Sequence, residues 1–240
     1  MKISVITGAS SGIGKDLAEA LLKNSWKVYG VSRSKPGIED ENFVWLPCDL
    51  SKPSDIQDLK IDETEIDLVV SNAGVAFLEP ATVISEQSYD KMFGVNVLAP
   101  MLLISKLKDK IKKATIITIS SVSDRIMDMD FALYCSSKAA NTRYFETLAL
   151  EMSDAKVISL LPDYIDTPML RELQEGTDFD WGQTLKVEEM THLIKNIYDG
   201  KVEVASGSNI IVINDQLLDD LKNREKLYGY NVSNNTLKRL

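Results

Sequence analysis

The sequence predicts an α/β fold, a doubly wound, seven-stranded parallel sheet with helices on both faces, and three observations lead there. Short apolar runs rich in Val and Ile recur along the chain, and amphipathic helical patterns separate most of them. Continuous apolar strands that alternate with helices belong to a parallel sheet covered on both sides. The first run, KISVIT, passes straight into a turn carrying Gly8, Gly12 and Gly14 and then into a helical pattern from Ile13 to about Asn24.

In chain order, strands are expected near Ile3–Thr7, Lys27–Val31, Phe43–Leu46, Leu68–Ser71, Thr115–Ser120, Lys156–Leu160 and Ile210–Ile213. After the first, a tight glycine turn and a helix N-terminus bring unpaired backbone N–H groups and the positive end of a helix dipole to one place. Such a place holds an anion, most simply a dinucleotide pyrophosphate. The spacing is GxxxGxG rather than GxGxxG, so the mechanism transfers while the common fingerprint does not. The fifth strand, ATIITISSVS, ends in a serine cluster at the strand edge where open α/β sheets bind ligands. Thirteen residues past Ser121, Tyr134 and Lys138 stand four apart in YCSSK, a spacing that puts both on one helix face. An ammonium beside a phenol favours the phenolate, which turns a tyrosine into a usable acid/base. A lid is expected over 168–183, and a charged amphipathic helix, QLLDDLKNREKLYG, from about 216, followed by a frayed or docking tail. No repeat or low-complexity linker divides the chain, so one domain over 1–240 is expected.

The 240 residues, 44% of them hydrophobic, suffice for one substantial core. No apolar stretch approaches the ~20 residues that span a bilayer, and the charged start reads as a strand rather than an export signal, so a soluble cytoplasmic protein without a membrane partner is expected. A net charge of −9 argues against nucleic acid as a partner. Cys48, Cys135 and His192 are too few and too scattered for a disulfide framework or a metal site.

TGASSGIG (Thr7–Gly14), CDL (Cys48–Leu50), SNAG (Ser71–Gly74), Asn96 in GVNVLAP, Ser121 and YCSSK occur in this order along the chain. Together they resemble the short-chain dehydrogenase/reductase family, from Met1 to roughly Ile213, and imply a Rossmann-like fold. The resemblance implies that Gly8, Ser10, Ser11, Gly12, Ile13 and Gly14 hold the dinucleotide. Asp49 and Leu50 would approach the adenine, and Asn72, Ala73 and Gly74 would line the adenosine side. Asn96 would hold a water in a proton relay to the lysine, and Ser121 would bind the substrate oxygen. Tyr134 would be the acid/base, while Lys138 would lower its pKa and bond the nicotinamide ribose. Pro162, Ile165 and Thr167 would contact the carboxamide and phosphates. On chemistry alone Ser120 and Ser123 rival Ser121; spacing to the tyrosine selects Ser121.

For the cofactor, Ser32 stands at the end of the second strand where NAD-selective folds carry a carboxylate, and Arg33 follows with a guanidinium suited to a phosphate. NADP(H) is favoured, with NAD(H) the alternative. Two positions depart from the family: Asp124 where glycine is frequent, and Asp163 in the usual proline-glycine turn. An acidic pair there would disfavour anionic substrates. In the lid, Met169, Leu170, Leu173, Phe179 and Trp181 either cover an apolar ligand or pack the lid onto the body.

The implied activity is an NADP(H)-dependent oxidoreductase acting on a small-molecule carbonyl or alcohol. A nucleotide-sensing regulatory protein on the same fold is the alternative, though a binder has no need of Asn96, Ser121, Tyr134 and Lys138 together. The family resemblance, together with the apolar faces of MLLISKL and YFETLALEM, implies a homodimer or homotetramer.

Overall fold

The computed structural model describes residues 1–213, 228–231 and 236–239. Its main strands are β1 (Ile3–Thr7), β2 (Lys27–Ser32), β3 (Phe43–Pro47), β4 (Leu68–Ser71), β5 (Thr115–Ile119), β6 (Lys156–Pro162) and β7 (Ser208–Val212). The helices are α1 (Gly12–Leu22), α2 (Pro53–Asp58), α3 (Glu86–Phe93), α4 (Ala99–Leu107), α5 (Ala132–Glu151), α6 (Pro168–Leu173) and α7 (Val187–Tyr198). The strands form one sheet in the order β3-β2-β1-β4-β5-β6-β7, every pair parallel. β1 pairs with β2 on one side and β4 on the other, so the winding reverses there and a crevice opens at the C-terminal strand ends.

All seven expected strands form, and only their ends move. β6 runs on through Pro162 because β7 reaches it: Pro162 lies opposite Val212, and the Asp163 N–H donates to the Val212 carbonyl at 3.0 Å. The helix expected from about residue 216 falls mostly outside the described residues. Tyr228–Asn231 pairs antiparallel with Thr236–Arg239 as β8 and β9.

Adjacent strand residues point to opposite faces, which is why the apolar runs are continuous. Val5, Val69 and Ile116 pack with Leu103, Leu107 and Phe145 of α4 and α5. Their neighbours Ile6, Val70 and Ile117 pack with Leu17, Leu21 and Ile194 of α1 and α7. Each such fully buried side chain contributes about 1.5–3 kcal/mol. In α5 the buried stripe is Tyr134, Ser137, Lys138, Asn141, Thr142, Phe145 and Leu148, at helical spacing. It starts polar and ends apolar, so the N-terminal half of α5 delivers chemistry while the C-terminal half packs core. Among the described residues no helix is long and apolar enough to cross a membrane.

Candidate active site

The chain just past β1, β4, β5 and β6 lines one cleft of about 310 Å³. In its glycine turn, Gly8 (φ +70°) and Gly12 (φ +52°) take the left-handed backbone that glycine adopts without strain. A β-carbon on Gly8 would stand 2.8 Å from Asn72 Nδ2, and one on Gly14 would strike the Gly8 carbonyl. Gly8, Ser10, Ser11, Gly12 and Ile13 face the cleft, whereas Gly14 packs the turn from behind. Ser11 is extended and makes no side-chain cap to α1, so the first-turn N–H groups are not taken by it. A narrow backbone cradle at a helix N-terminus, closed to any side chain, fits a pyrophosphate.

Thr7 was not singled out by sequence, yet it ties the two halves of this cradle. Its hydroxyl oxygen accepts from the Asn72 and Ala73 N–H groups at 3.0 Å each, and Asn72 Nδ2 donates to the Thr7 carbonyl at 2.9 Å. Its place inside TGASSGIG was the signal that could have found it.

Ser32, Arg33, Asp49, Leu50, Ala73 and Gly74 also line the cleft, as do Pro162, Ile165 and Thr167. The Ser32 hydroxyl donates to the Ser34 carbonyl at 2.8 Å and accepts from Trp45 Nε1 at 3.2 Å, so it is spent on the β2–β3 edge. Arg33 is exposed. The Ser51 hydroxyl, 2.7 Å from Asp49 Oδ1, holds the Asp49 carboxyl below the usual range against its partial burial, with Lys52 and Arg33 adding to the effect.

At the ends of β4 and β5, Ser121, Tyr134 and Lys138 meet, all three buried. The structure separates the three serines. Ser121 lies on the Tyr134 side, where it pulls the tyrosine pKa down, and accepts from the Ser123 N–H at 3.1 Å, which caps the short 3₁₀ turn Val122–Asp124. Ser120 points the other way, to Thr142 Oγ1 at 2.7 Å and the Lys138 carbonyl at 3.3 Å. Asn96 sits in a π-helical turn, Gly94–Leu98, between α3 and α4, an irregularity that concentrates at functional sites. Its side chain bonds Val75 N and O at 2.9 Å each and Ser137 Oγ at 3.0 Å. Asn141 Nδ2 donates to the Asn96 carbonyl at 2.8 Å. These partners, Ser137 and Asn141, lie on the α5 stripe and were missed because small polar residues on a helix have no signature of their own.

Burial dominates the electrostatics. Tyr134 is pushed up to about 12 by desolvation, with Ser121 pulling the other way. Lys138 is pushed down to about 8 by desolvation, opposed by the charge of Asp124. Its Nζ donates to the Ile119 carbonyl at 3.0 Å and stands 5.5 Å from the Tyr134 ring centroid. Burial thus opposes the lowering of Tyr134 expected from the YCSSK spacing and favours the neutral phenol.

Asp124 corrects a second expectation. Its side chain is only 2% exposed and does not line the cleft. The acidic groups that do, besides Asp49, are Asp128 and Asp163, alongside Phe131, Tyr164 and Lys91. Tyr164 is pushed up to about 12 by burial and by the charges of Asp128 and Asp163. Of the lid residues, Met169, Leu170 and Leu173 reach the cleft. Phe179 and Trp181 pack edge to face in succession outward from Tyr164, with centroids 5.1 Å and 5.0 Å apart, and Arg171 lies 4.9 Å over Trp181 while bonding Asp166 at 2.6 and 2.7 Å. They buttress the lid.

The chain matches the short chain dehydrogenase family over residues 2–178. A short-chain dehydrogenase of Hypocrea virens is 28% identical over 213 residues, covering 80% of this chain and 72% of that protein. The 11-beta-hydroxysteroid dehydrogenase-like 2 protein of Arabidopsis thaliana is 30% identical over 226 residues, covering 83% and 70%. The crystal structure of a short chain dehydrogenase family protein from Francisella tularensis superposes with a TM-score of 0.82 at 25% identity, covering 88% of this chain and 97% of that one. A family match across most of the length, carried on the same parallel sheet, makes this chain a member of the short chain dehydrogenase family of oxidoreductases.

Proposed function

We propose that the protein is an NADP(H)-dependent carbonyl reductase or alcohol dehydrogenase, with Ser121, Tyr134, Lys138 and Asn96 as its catalytic set. The observation that supports this most is the meeting of buried Ser121, Tyr134 and Lys138 on the wall of the cleft that the glycine cradle also lines, Tyr134 and Lys138 one helical turn apart. When bound, the dinucleotide supplies or takes up the hydride. Ser121 donates a hydrogen bond to the substrate oxygen and holds it beside Tyr134, where charge develops. Tyr134, neutral at working pH, gives its proton to that oxygen in reduction and takes it back in oxidation. Lys138 stabilises the phenolate that remains, and Asn96 fixes the Val75 backbone and Ser137 around it.

Cofactor choice rests on Arg33. No carboxylate stands at Ser32, and a guanidinium on the cleft wall favours a 2′-phosphate. The substrate side combines Phe131, Met169, Leu170 and Leu173 with Asp128 and Asp163, which favours an uncharged, largely apolar carbonyl compound over an anion.

The test is oxidation of NADPH and NADH, followed by the absorbance of the reduced nicotinamide, against aldehydes, ketones and diones. NADPH-dependent turnover is expected. Tight dinucleotide binding with no turnover on any carbonyl would instead make the chain a nucleotide sensor.

A further inference from the structure

Large apolar side chains exposed singly are ordinary on a protein surface, whereas a contiguous group of them marks a contact. Two loops beside the cleft carry such a group. Between β5 and α5, Met127 is 79% and Met129 89% exposed, while Asp128 between them and Phe131 just beyond line the cleft. After β4, Val75 and Ala76 line the cleft and lead into Leu78, Val83 and Ile84, all exposed. Hydrogen bonds join the two loops. The Glu79 N–H donates to the Asp130 carbonyl at 2.9 Å, and the Glu79 carboxylate accepts from the Ser85 N–H at 3.1 Å and the Ser85 hydroxyl at 3.0 Å. Leu78, Met129 and Ile84 directly precede Glu79, Asp130 and Ser85 in the chain, so one apolar shelf runs outward from the mouth of the cleft.

The methionine segment is fixed at both ends: the Ile126 N–H donates to the Val122 carbonyl at 2.8 Å, and Asp130 is held by Glu79. The methionine side chains it presents are unbranched and adaptable, suited to hydrocarbon of varied shape. Charge narrows what lies on them. Glu79, Asp128 and Asp130 stand on these loops. Of the cations beside them, Arg125 is occupied by Asp124 at 3.3 Å and Glu146 at 3.5 Å, and Lys91 lies 5.2 Å over the Phe77 ring. An acidic border repels an anionic lipid surface, and it repels itself in a symmetric contact with a second copy. A neutral apolar ligand is free of both repulsions. The shelf is also continuous with the cleft, whose volume of about 310 Å³ is shared with the dinucleotide, so a substrate much larger than its reacting carbonyl extends outside.

We propose that Leu78, Ile84, Met127 and Met129 form an outer subsite for the hydrocarbon body of an uncharged carbonyl substrate whose reacting end lies at Ser121 and Tyr134. The subsite rests on the reductase reading above, and it makes the length of the apolar body the property that the site selects.

The experiment measures reduction by NADPH of methyl ketones of growing straight chain, from butanone to decan-2-one. Wild-type kcat/KM is expected to rise about twofold per added methylene once the chain leaves the cleft, below the roughly fourfold of a fully buried methylene because the shelf is open on one side. In Met127→Gln/Met129→Gln, which puts polar side chains of similar size at two exposed positions, the slope is expected to flatten. Loss by the same factor at every chain length would assign the methionines to support of the loop, and an unchanged slope would leave the shelf without a part in the reaction; either result overturns the proposal. An unchanged slope together with loss of dimer mass in light scattering, or of pelleting with phosphatidylcholine vesicles, would give the shelf to a second copy or to a membrane instead. A calorimetric arm needs no turnover: straight-chain primary amides, unreactive analogues of the ketones, are expected to bind the full chain in the presence of NADPH with an affinity that climbs with length in the wild type and not in the double variant. A chain that reduces no ketone but shows this binding keeps the shelf and loses the reductase reading; one that reduces ketones with no dependence on length does the reverse.

Discussion

The Lys138 ammonium nitrogen stands 5.5 Å from the Tyr134 ring centroid, and burial drives the two groups in opposite directions, the lysine down to about 8 and the tyrosine up to about 12. Each is thereby biased toward its neutral form. The cost of that arrangement is measurable.

For Lys138 the folded chain sheds its proton at about 8 against 10.5 for the ordinary group. Between those values the unfolded chain binds more protons, so stability rises with pH across the window, and below it the buried ammonium is a net burden. Lys138→Met is expected to raise stability near neutral pH by up to about 3 kcal/mol, with the gain fading as pH climbs toward 10.5, while turnover collapses. Paired melting curves near neutral and alkaline pH check this; a difference that does not change with pH would contradict it.

Gly14 cannot take a side chain, because a β-carbon would collide with the Gly8 carbonyl and lie 2.7 Å from Asn72 Nδ2. Backbone is the obstacle, so the turn itself must move. Gly14→Ala is expected to cost about 1–3 kcal/mol and to weaken dinucleotide binding more than its effect on folding. Binding measured by calorimetry at a temperature where the variant is fully folded checks the second half.

Arg33 gives a graded prediction. Charge-assisted hydrogen bonds are worth about 1.5–3 kcal/mol, so Arg33→Ala should erase about ten- to a hundredfold of NADPH preference and change NADH affinity little. Ser32→Asp should go further, by repelling the 2′-phosphate. Equal affinities of the wild type for both dinucleotides would show that Arg33 points elsewhere.

Assembly is the fourth. The faces of MLLISKL and YFETLALEM are largely spent inside the subunit, since Leu103, Ile104, Leu107, Phe145 and Leu148 are buried. What remains outside on that flank is Leu98, 44% exposed, and Leu150, 85% exposed. A symmetric dimer through α4 and α5 would cover both. Light scattering is expected to give twice the mass of one chain, reverting to one in Leu150→Glu; a single-chain mass for the wild type contradicts it.

The sheet was legible because continuous apolar strands and amphipathic helices carry distinct periods, and the shared face of Tyr134 and Lys138 because a helical spacing encodes it, whereas Ser121 was chosen among the serines by its spacing to the tyrosine. What stayed hidden was set by tertiary packing. Ser120 and Ser121 are chemically alike, and only strand alternation sends one toward Thr142 and the other toward Tyr134. Asp124 looked like a cleft residue and is enclosed instead, while Asp128 and Tyr164 enter the cleft from loops whose sequence has no period. Phe179 and Trp181 are apolar enough to line a pocket but find each other and Tyr164 first.

The central claim is that Tyr134 moves the proton, and the direct measurement is kcat of Tyr134→Phe with a carbonyl substrate that the wild type reduces. The ring and its packing stay while the hydroxyl goes. A loss of about a hundred- to ten-thousandfold in kcat, with fold and dinucleotide affinity retained, is the expected result; turnover near the wild-type rate would contradict the account.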